Sequence, residues 1–298
     1  MPDRRANIGA SIRARLLNLS RQSGQGMDLL LTRYVLERFL YRLSLSPYRE
    51  RFVLKGALLL TTWFDDPHRP TRDVDLLGFG DPTPAVVLAM FREIFAVPVD
   101  DGVDFDGDGL RVDRIREELE YGGVRLRTTA RLAAARIAVT IDVGFGDAIE
   151  PGVEDIELPV LLDMPKLQLR AYPREVVIAE KFHAMVLLGR ANSRMKDFYD
   201  VWQLLNSYEF DNDRLVRAIS ATFARRKTAL PNSTPDALSA AFAEDPIKQR
   251  QWAAFVRDLT PTVPPLMTIV SDVSARLMPM LTEFQRVVPE APGNRRRE

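Results

Sequence analysis

The 298-residue sequence contains no cysteine, which excludes disulfides and thiolate metal sites. Its only histidines are His68 and His183, too few for a multi-histidine zinc site. Neither charge is in excess: 41 Lys plus Arg stand against 41 Asp plus Glu. A nucleic-acid partner would therefore have to meet a local basic patch. No apolar run is long enough to cross a bilayer, and the opening MPDRRANIGASIRARLL lacks the apolar core of a signal peptide. The expectation is a soluble cytoplasmic protein with no membrane partner.

The remaining composition, 46% apolar and 28% charged, is that of a globular chain long enough for one large domain or two smaller ones. Residues 7–20 and 26–45 read as helices, the second with apolar residues three and four apart and arginines on the other side. RFVLKGALLLTTWF (51–64) reads as a short strand, a turn at Gly56 and a helix. TRDVDLLGFG (71–80) is a strand, and 83–96 is a helix that Thr83 could cap. LRVDRI, GGVRLRTTARL and RIAVTIDVGF are three alternating, β-branched segments separated by turn signals. After about residue 165 the pattern becomes helical. One helix covers 173–189, opened by Pro173 and stopped by Gly189; another covers 192–207, capped by Asn192 or Ser193. The expected fold is α+β: a mixed sheet with flanking helices over 1–165, a helical half over 166–290, and a disordered tail over 291–298.

Asp73 and Asp75 are two apart in a strand, so they share a face and repel each other. Such a pair needs water around it or a cation between its members. In RIAVTIDVGF, Ile137, Val139, Ile141 and Val143 share one face, and Asp142 lies on the less apolar one. If the two strands are neighbours, the three aspartates offer the oxygen ligands that Mg²⁺ prefers. Lys181 falls in the middle of an apolar helical stripe of Val177, Ile178, Met185 and Leu188. It either snorkels past the helix edge or points into a cleft between the halves. Arg190, Arg194 and Lys196 crowd a helix start, where basic side chains and free N–H groups favour an anion. Arg194 could equally pair with Asp197 on its own helix, and Asp197 and Asp200 share a face one turn apart. DFDGDGLRVDRI starts like a calcium loop but has Ile115 where a bidentate Glu is required, so it reads as an acidic turn.

Lys55-Gly56, Arg72-Asp73-Val74-Asp75 and Ile141-Asp142-Val143 together resemble the carboxylate triad of DNA polymerase β-like nucleotidyltransferases. The fuller string of RFVLKGALLL, TRDVDLL, TIDVGFGD and AEKFHAM…RANSRMKDFYDVW resembles the AbiEii/AbiGii nucleotidyltransferase toxins of type IV-like abortive-infection systems. The mycobacterial nucleotidyltransferase toxins are in the same group, and the resemblance runs from about residue 26 to 260. It implies an NTP held with Mg²⁺ between the two halves. Asp73, Asp75 and Asp142 would be metal ligands, with Asp142 also the base for the attacking hydroxyl. Lys181 would hold the triphosphate, and Arg72, Arg190, Arg194, Lys196, Asp197 and Asp200 would line the nucleotide site. The wider superfamily has Gly-Ser at the first turn where this chain has Gly56-Ala57, so Lys55 would take over the serine's phosphate contact. Some members add nucleotides to the 3′ end of tRNA, and an antitoxin partner is expected. A protein or small-molecule acceptor, or a module that only binds nucleotide or RNA, are the alternatives.

Overall fold

The structure is a computed structural model that describes residues 4–64, 71–115, 122–257, 259 and 263–287. The expected tail at 291–298 lies outside the described residues. The chain divides into two compact units. One holds the residues up to Asp147 together with Val153–Tyr172, and the other holds Ala148–Gly152 and the residues from Pro173 onward.

In the first unit, alternation along the long strands builds a mixed sheet whose short central strand is buried throughout. The strands are β1 (Phe52–Lys55), β2 (Asp73–Gly78), β3 (Val103–Phe105), β4 (Arg111–Ile115), β5 (Gly123–Leu132), β6 (Ala135–Phe145), β7 (Glu154–Leu158) and β8 (Leu167–Ala171). The order is β3-β5-β6-β2-β1-β8-β7, with β4 paired to β5 off that path. β2 runs parallel to β6 and antiparallel to β1, and β5 and β6 form a long antiparallel pair. Val74, Leu76, Ile141 and Val143 are fully buried on one face, as alternation requires. Each such side chain contributes about 1.5–3 kcal/mol on burial.

Helices α1 (Arg4–Ser23), α2 (Met27–Leu45), α3 (Leu60–Trp63) and α4 (Pro84–Ala96) accompany the sheet, and α2 packs on β6, β8 and α4. Pro84 opens α4, but Thr83 makes no side-chain cap; Asp81 instead accepts from the Thr83 N–H at 2.8 Å. The arginines of α2 do not all face away from the core. Arg38 and Arg42 are buried, and Arg42 is held by both oxygens of Asp101 at 2.5 and 3.0 Å. The acidic turn is held by Asp106, which accepts from the Gly109 N–H at 2.8 Å.

The second unit contains α5 (Arg174–Leu188), α6 (Met195–Ser207), α7 (Asn212–Arg225), α8 (Ala240–Glu244), α9 (Pro246–Val256) and α10 (Leu266–Val287). α5 packs on α6 and α7, and α10 on α6 and α8. Stacked Phe198 and Phe242, and Phe182 against Phe223, fill its core. Gly189 ends α5 with φ +46°, and α6 begins at Met195, two to three residues later than the expected caps. Asn192 does serve that start: its side chain accepts from the Arg194 N–H at 2.8 Å. Among the described residues no helix is long and apolar enough to cross a membrane.

Candidate active site

The polar face of the sheet carries a row of charges in register. Lys55 on β1 lies opposite Asp75 on β2, Asp75 opposite Asp142 on β6, and Asp142 opposite Arg125 on β5. Register partners on neighbouring strands share a face, so all four project to one side, with Asp73 two residues from Asp75 on that side. The alternation that buries Val74 and Ile141 is what places the carboxylates here.

Arg125 engages Asp142 in a two-pronged pair: Nε donates to Oδ1 at 2.7 Å and Nη2 to Oδ2 at 2.6 Å. The guanidinium therefore holds its proton more tightly than usual. The hydrogen bond to Asp142 is the main cause, and the charges of Asp142, Asp73 and Asp75 add to it. One cation thus feels all three aspartates, which places them in a single electrostatic cluster. At the other end of the row, Lys55 Nζ pairs with Asp147, whose carboxylate also accepts from the Tyr172 hydroxyl at 2.9 Å. Lys55 additionally lies 5.7 Å from the centre of the Tyr172 ring.

Gly56 follows Lys55 with φ +77°, and a Cβ there would fall 2.2 Å from Asp75 Oδ2. Only glycine allows the backbone so close to that carboxylate. Arg72 is exposed just before β2. Among the described residues, no three acidic or histidine side chains converge tightly enough to hold a metal ion as placed, and Asp142 has both oxygens on Arg125. The donor set nevertheless suits a hard divalent cation: carboxylate oxygens of Asp75 and Asp142 on adjacent strands, with Asp73 two residues along the same face.

In the helical unit, α5 and α6 bring Lys181 against two buried aspartates. Its ammonium lies 2.7 Å from Asp197 Oδ1 and 2.9 Å from Asp200 Oδ2. Neither aspartate side chain is exposed, and Lys181 is 12% exposed. Arg194 Nε approaches Asp197 Oδ2 at 2.6 Å, so the pairing within α6 does form. Two cations and two anions balance. Arg190 points elsewhere, clasping Asp236 at 3.0 and 2.8 Å and reaching the Ala241 carbonyl at 3.2 Å. Lys196 is exposed in the first turn of α6. A surface groove of about 260 Å³ lined by Trp202, Leu205, Asn206, Asp272 and Val273 includes none of these residues.

The structure thus gathers Lys55, Gly56, Asp73, Asp75 and Asp142 within one unit, and Lys181, Arg194, Asp197 and Asp200 within the other. Sequence reasoning missed Arg125, Asp147 and Tyr172. The alternation of GGVRLRTTARL does put Arg125 on the polar face, but its partner becomes visible only with the β5–β6 register.

Comparison with known proteins bears on the activity. A search of curated protein sequences finds no match. A crystal structure of a candidate nucleotidyltransferase from Helicobacter pylori superposes with TM-score 0.51 at 15% identity, covering 89% of this chain and 99% of that one. JHP933 from the same organism gives TM-score 0.49 at 14% identity over 87% of this chain and 94% of that one. The first likeness shows a shared fold. The family profile described as "Nucleotidyl transferase AbiEii toxin, Type IV TA system" matches residues 38–285, most of the chain. The protein therefore belongs to the AbiEii family of nucleotidyltransferase toxins of type IV toxin–antitoxin systems.

Proposed function

We propose that this nucleotidyltransferase moves a nucleoside monophosphate from an NTP to the 3′ hydroxyl of a tRNA, using Mg²⁺ held by Asp73, Asp75 and Asp142. Family membership implies an NTP substrate and an antitoxin partner. The observation that carries the proposal is the in-register row: Asp75 faces Asp142 across parallel strands, with Asp73 beside them.

Bound to these carboxylates, a divalent ion would offset phosphate charge and make the acceptor hydroxyl easier to ionise. Asp142 accepts the hydroxyl proton as the oxygen attacks the α-phosphorus. The bond from that phosphorus to the bridging oxygen breaks, and pyrophosphate leaves with the electron pair. Arg125 takes one lone pair on each Asp142 oxygen and so fixes the carboxylate, and a second lone pair on each oxygen is left for the proton. In the helical unit, Asp197 and Asp200 on α6 fix the Lys181 ammonium of α5, the group assigned to the triphosphate, and Lys196 in the first turn of α6 adds positive charge.

The test incubates the protein with total tRNA, Mg²⁺ and each labelled NTP in turn, beside Asp75→Asn. Label on tRNA that disappears with the variant or with EDTA supports the proposal and names the nucleotide. Label on a polypeptide or small molecule reassigns the acceptor. A folded protein that labels nothing would overturn the proposed reaction.

A further inference from the structure

The face of the sheet that carries the aspartates continues beyond them as a run of arginines. On β5, Arg125, Arg127 and Arg131 share that face; Arg136 on β6 lies opposite Arg131, and Arg111 on β4 lies opposite Arg127. Arg111, Arg127, Arg131 and Arg136 are exposed. Arg127 is paired with Asp113, and Asp104 on β3 lies beside Arg131. Among the described residues, the side chains of Arg111, Arg131 and Arg136 make no hydrogen bond or ion pair.

Two cross-strand pairs, Arg131–Arg136 and Arg127–Arg111, therefore set like charges directly opposite each other. Such pairs destabilise a sheet. Two on one open face, with three of the four members unpaired, point to an external anion that offsets the repulsion. Same-face residues along a strand are about 7 Å apart, so the run from Arg125 to Arg131 spans about 20 Å. That length suits a chain of phosphates rather than a single small anion. The run ends at the carboxylate row, where an acceptor hydroxyl has to arrive. The face also lacks aromatic side chains on β5 and β6, so it would grip a backbone without reading bases.

We infer that the arginine face of β4, β5 and β6 binds the sugar-phosphate backbone of the acceptor RNA and leads its 3′ end to Asp142. The inference rests on the tRNA reading above. Arg111, Arg131 and Arg136 position the RNA; they are not catalytic residues.

Binding of labelled tRNA to the full chain is measured by fluorescence anisotropy in EDTA without NTP, from 50 to 200 mM salt. The proteins compared are wild type, Arg131→Gln/Arg136→Gln and, separately, Arg111→Gln. Each phosphate contact contributes about 0.7–0.9 to the slope of log affinity against log salt. The double variant should lose about 1.4 from that slope, so wild type should weaken about sevenfold more than the variant across the range. The single variant should lose about half as much slope. NTP binding by calorimetry should stay unchanged, and the melting temperature of the double variant should hold or rise, because it loses a like-charge cross-strand pair. Equal slopes and affinities in all three proteins, with tRNA still labelled by NTP, would remove the arginine face and leave the tRNA reading standing. A wild type that neither binds nor labels tRNA would remove both.

Discussion

Replacing Arg125 with Gln takes one cation from a face that carries three aspartates. Two charge-assisted hydrogen bonds of 2.7 and 2.6 Å to Asp142 disappear. The Arg125 side chain is 38% exposed, so water replaces much of that loss, and the pair itself contributes about 1 kcal/mol. The larger effect is on what remains. Asp142, 17% exposed, then faces Asp75 across a single strand spacing without the Arg125 charge on its other side. Two such charges about 5 Å apart repel by about 1–3 kcal/mol, between the limits of bulk water and a protein surface. Together these effects should lower the melting temperature by about 5–10 °C. Mg²⁺ should then rescue the variant more than it stabilises wild type, because in wild type the Arg125 charge held on Asp142 would oppose a second cation there. Melting curves in EDTA and in millimolar Mg²⁺, with Mn²⁺ titrated by electron paramagnetic resonance, read both effects. A Mg²⁺ increment equal in the two proteins, or greater in wild type, would show that Arg125 orients Asp142 rather than opposing the ion.

Gly56→Ala forces a Cβ to within 2.2 Å of Asp75 Oδ2 at φ +77°, so it should cost about 1–3 kcal/mol and abolish transfer; a melt and the labelling assay check both. Lys181→Met leaves Asp197 and Asp200 buried without their ammonium, a loss of about 3–5 kcal/mol by urea denaturation, and adding Asp200→Asn should restore part of it. His183 is pushed down to about 4 by burial and then by neighbouring Arg226. The folded protein therefore binds fewer protons than the unfolded chain between about pH 4 and 6.5, and stability falls as pH drops through that window; His183→Phe should flatten the fall. Burial raises Glu37 to about 7, which has the opposite sense: stability falls as pH rises from 4.5 to about 7, and Glu37→Gln should remove that slope.

Long elements with clear alternation were legible in the sequence. The apolar positions of β6 and the carboxylates of β2 follow directly from period two, and Gly56 marks a turn because no side chain fits there. The short strands β3, β7 and β8 were not legible. β7 is Glu-Asp-Ile-Glu-Leu, charged at three of five positions, and it becomes a strand by pairing with β8 rather than by its own preference. The start of α6 was misplaced because residues 189–191 form a tight turn before the helix and Asn192 caps from three residues before its first residue. Lys181 stood out as a lysine in an apolar stripe, but its aspartate partners are 16 and 19 residues away and meet it only through helix packing. Arg125 belongs to the same class: its residue type and face were visible, and its partner was set by strand register.

The row from Lys55 to Arg125 also determines which kinds of mutation the gene can tolerate. A substitution at one of its positions changes one charge. Deleting a single codon within β2 shifts phase by one residue, which would send Asp73 and Asp75 toward the core and Val74 and Leu76 toward solvent. Activity and folding would fail together. In a library of short in-frame insertions and deletions, β2 and β6 should therefore be nearly blank, and so should the two-residue turn at Ala133–Ala134, whose length fixes the β5–β6 register.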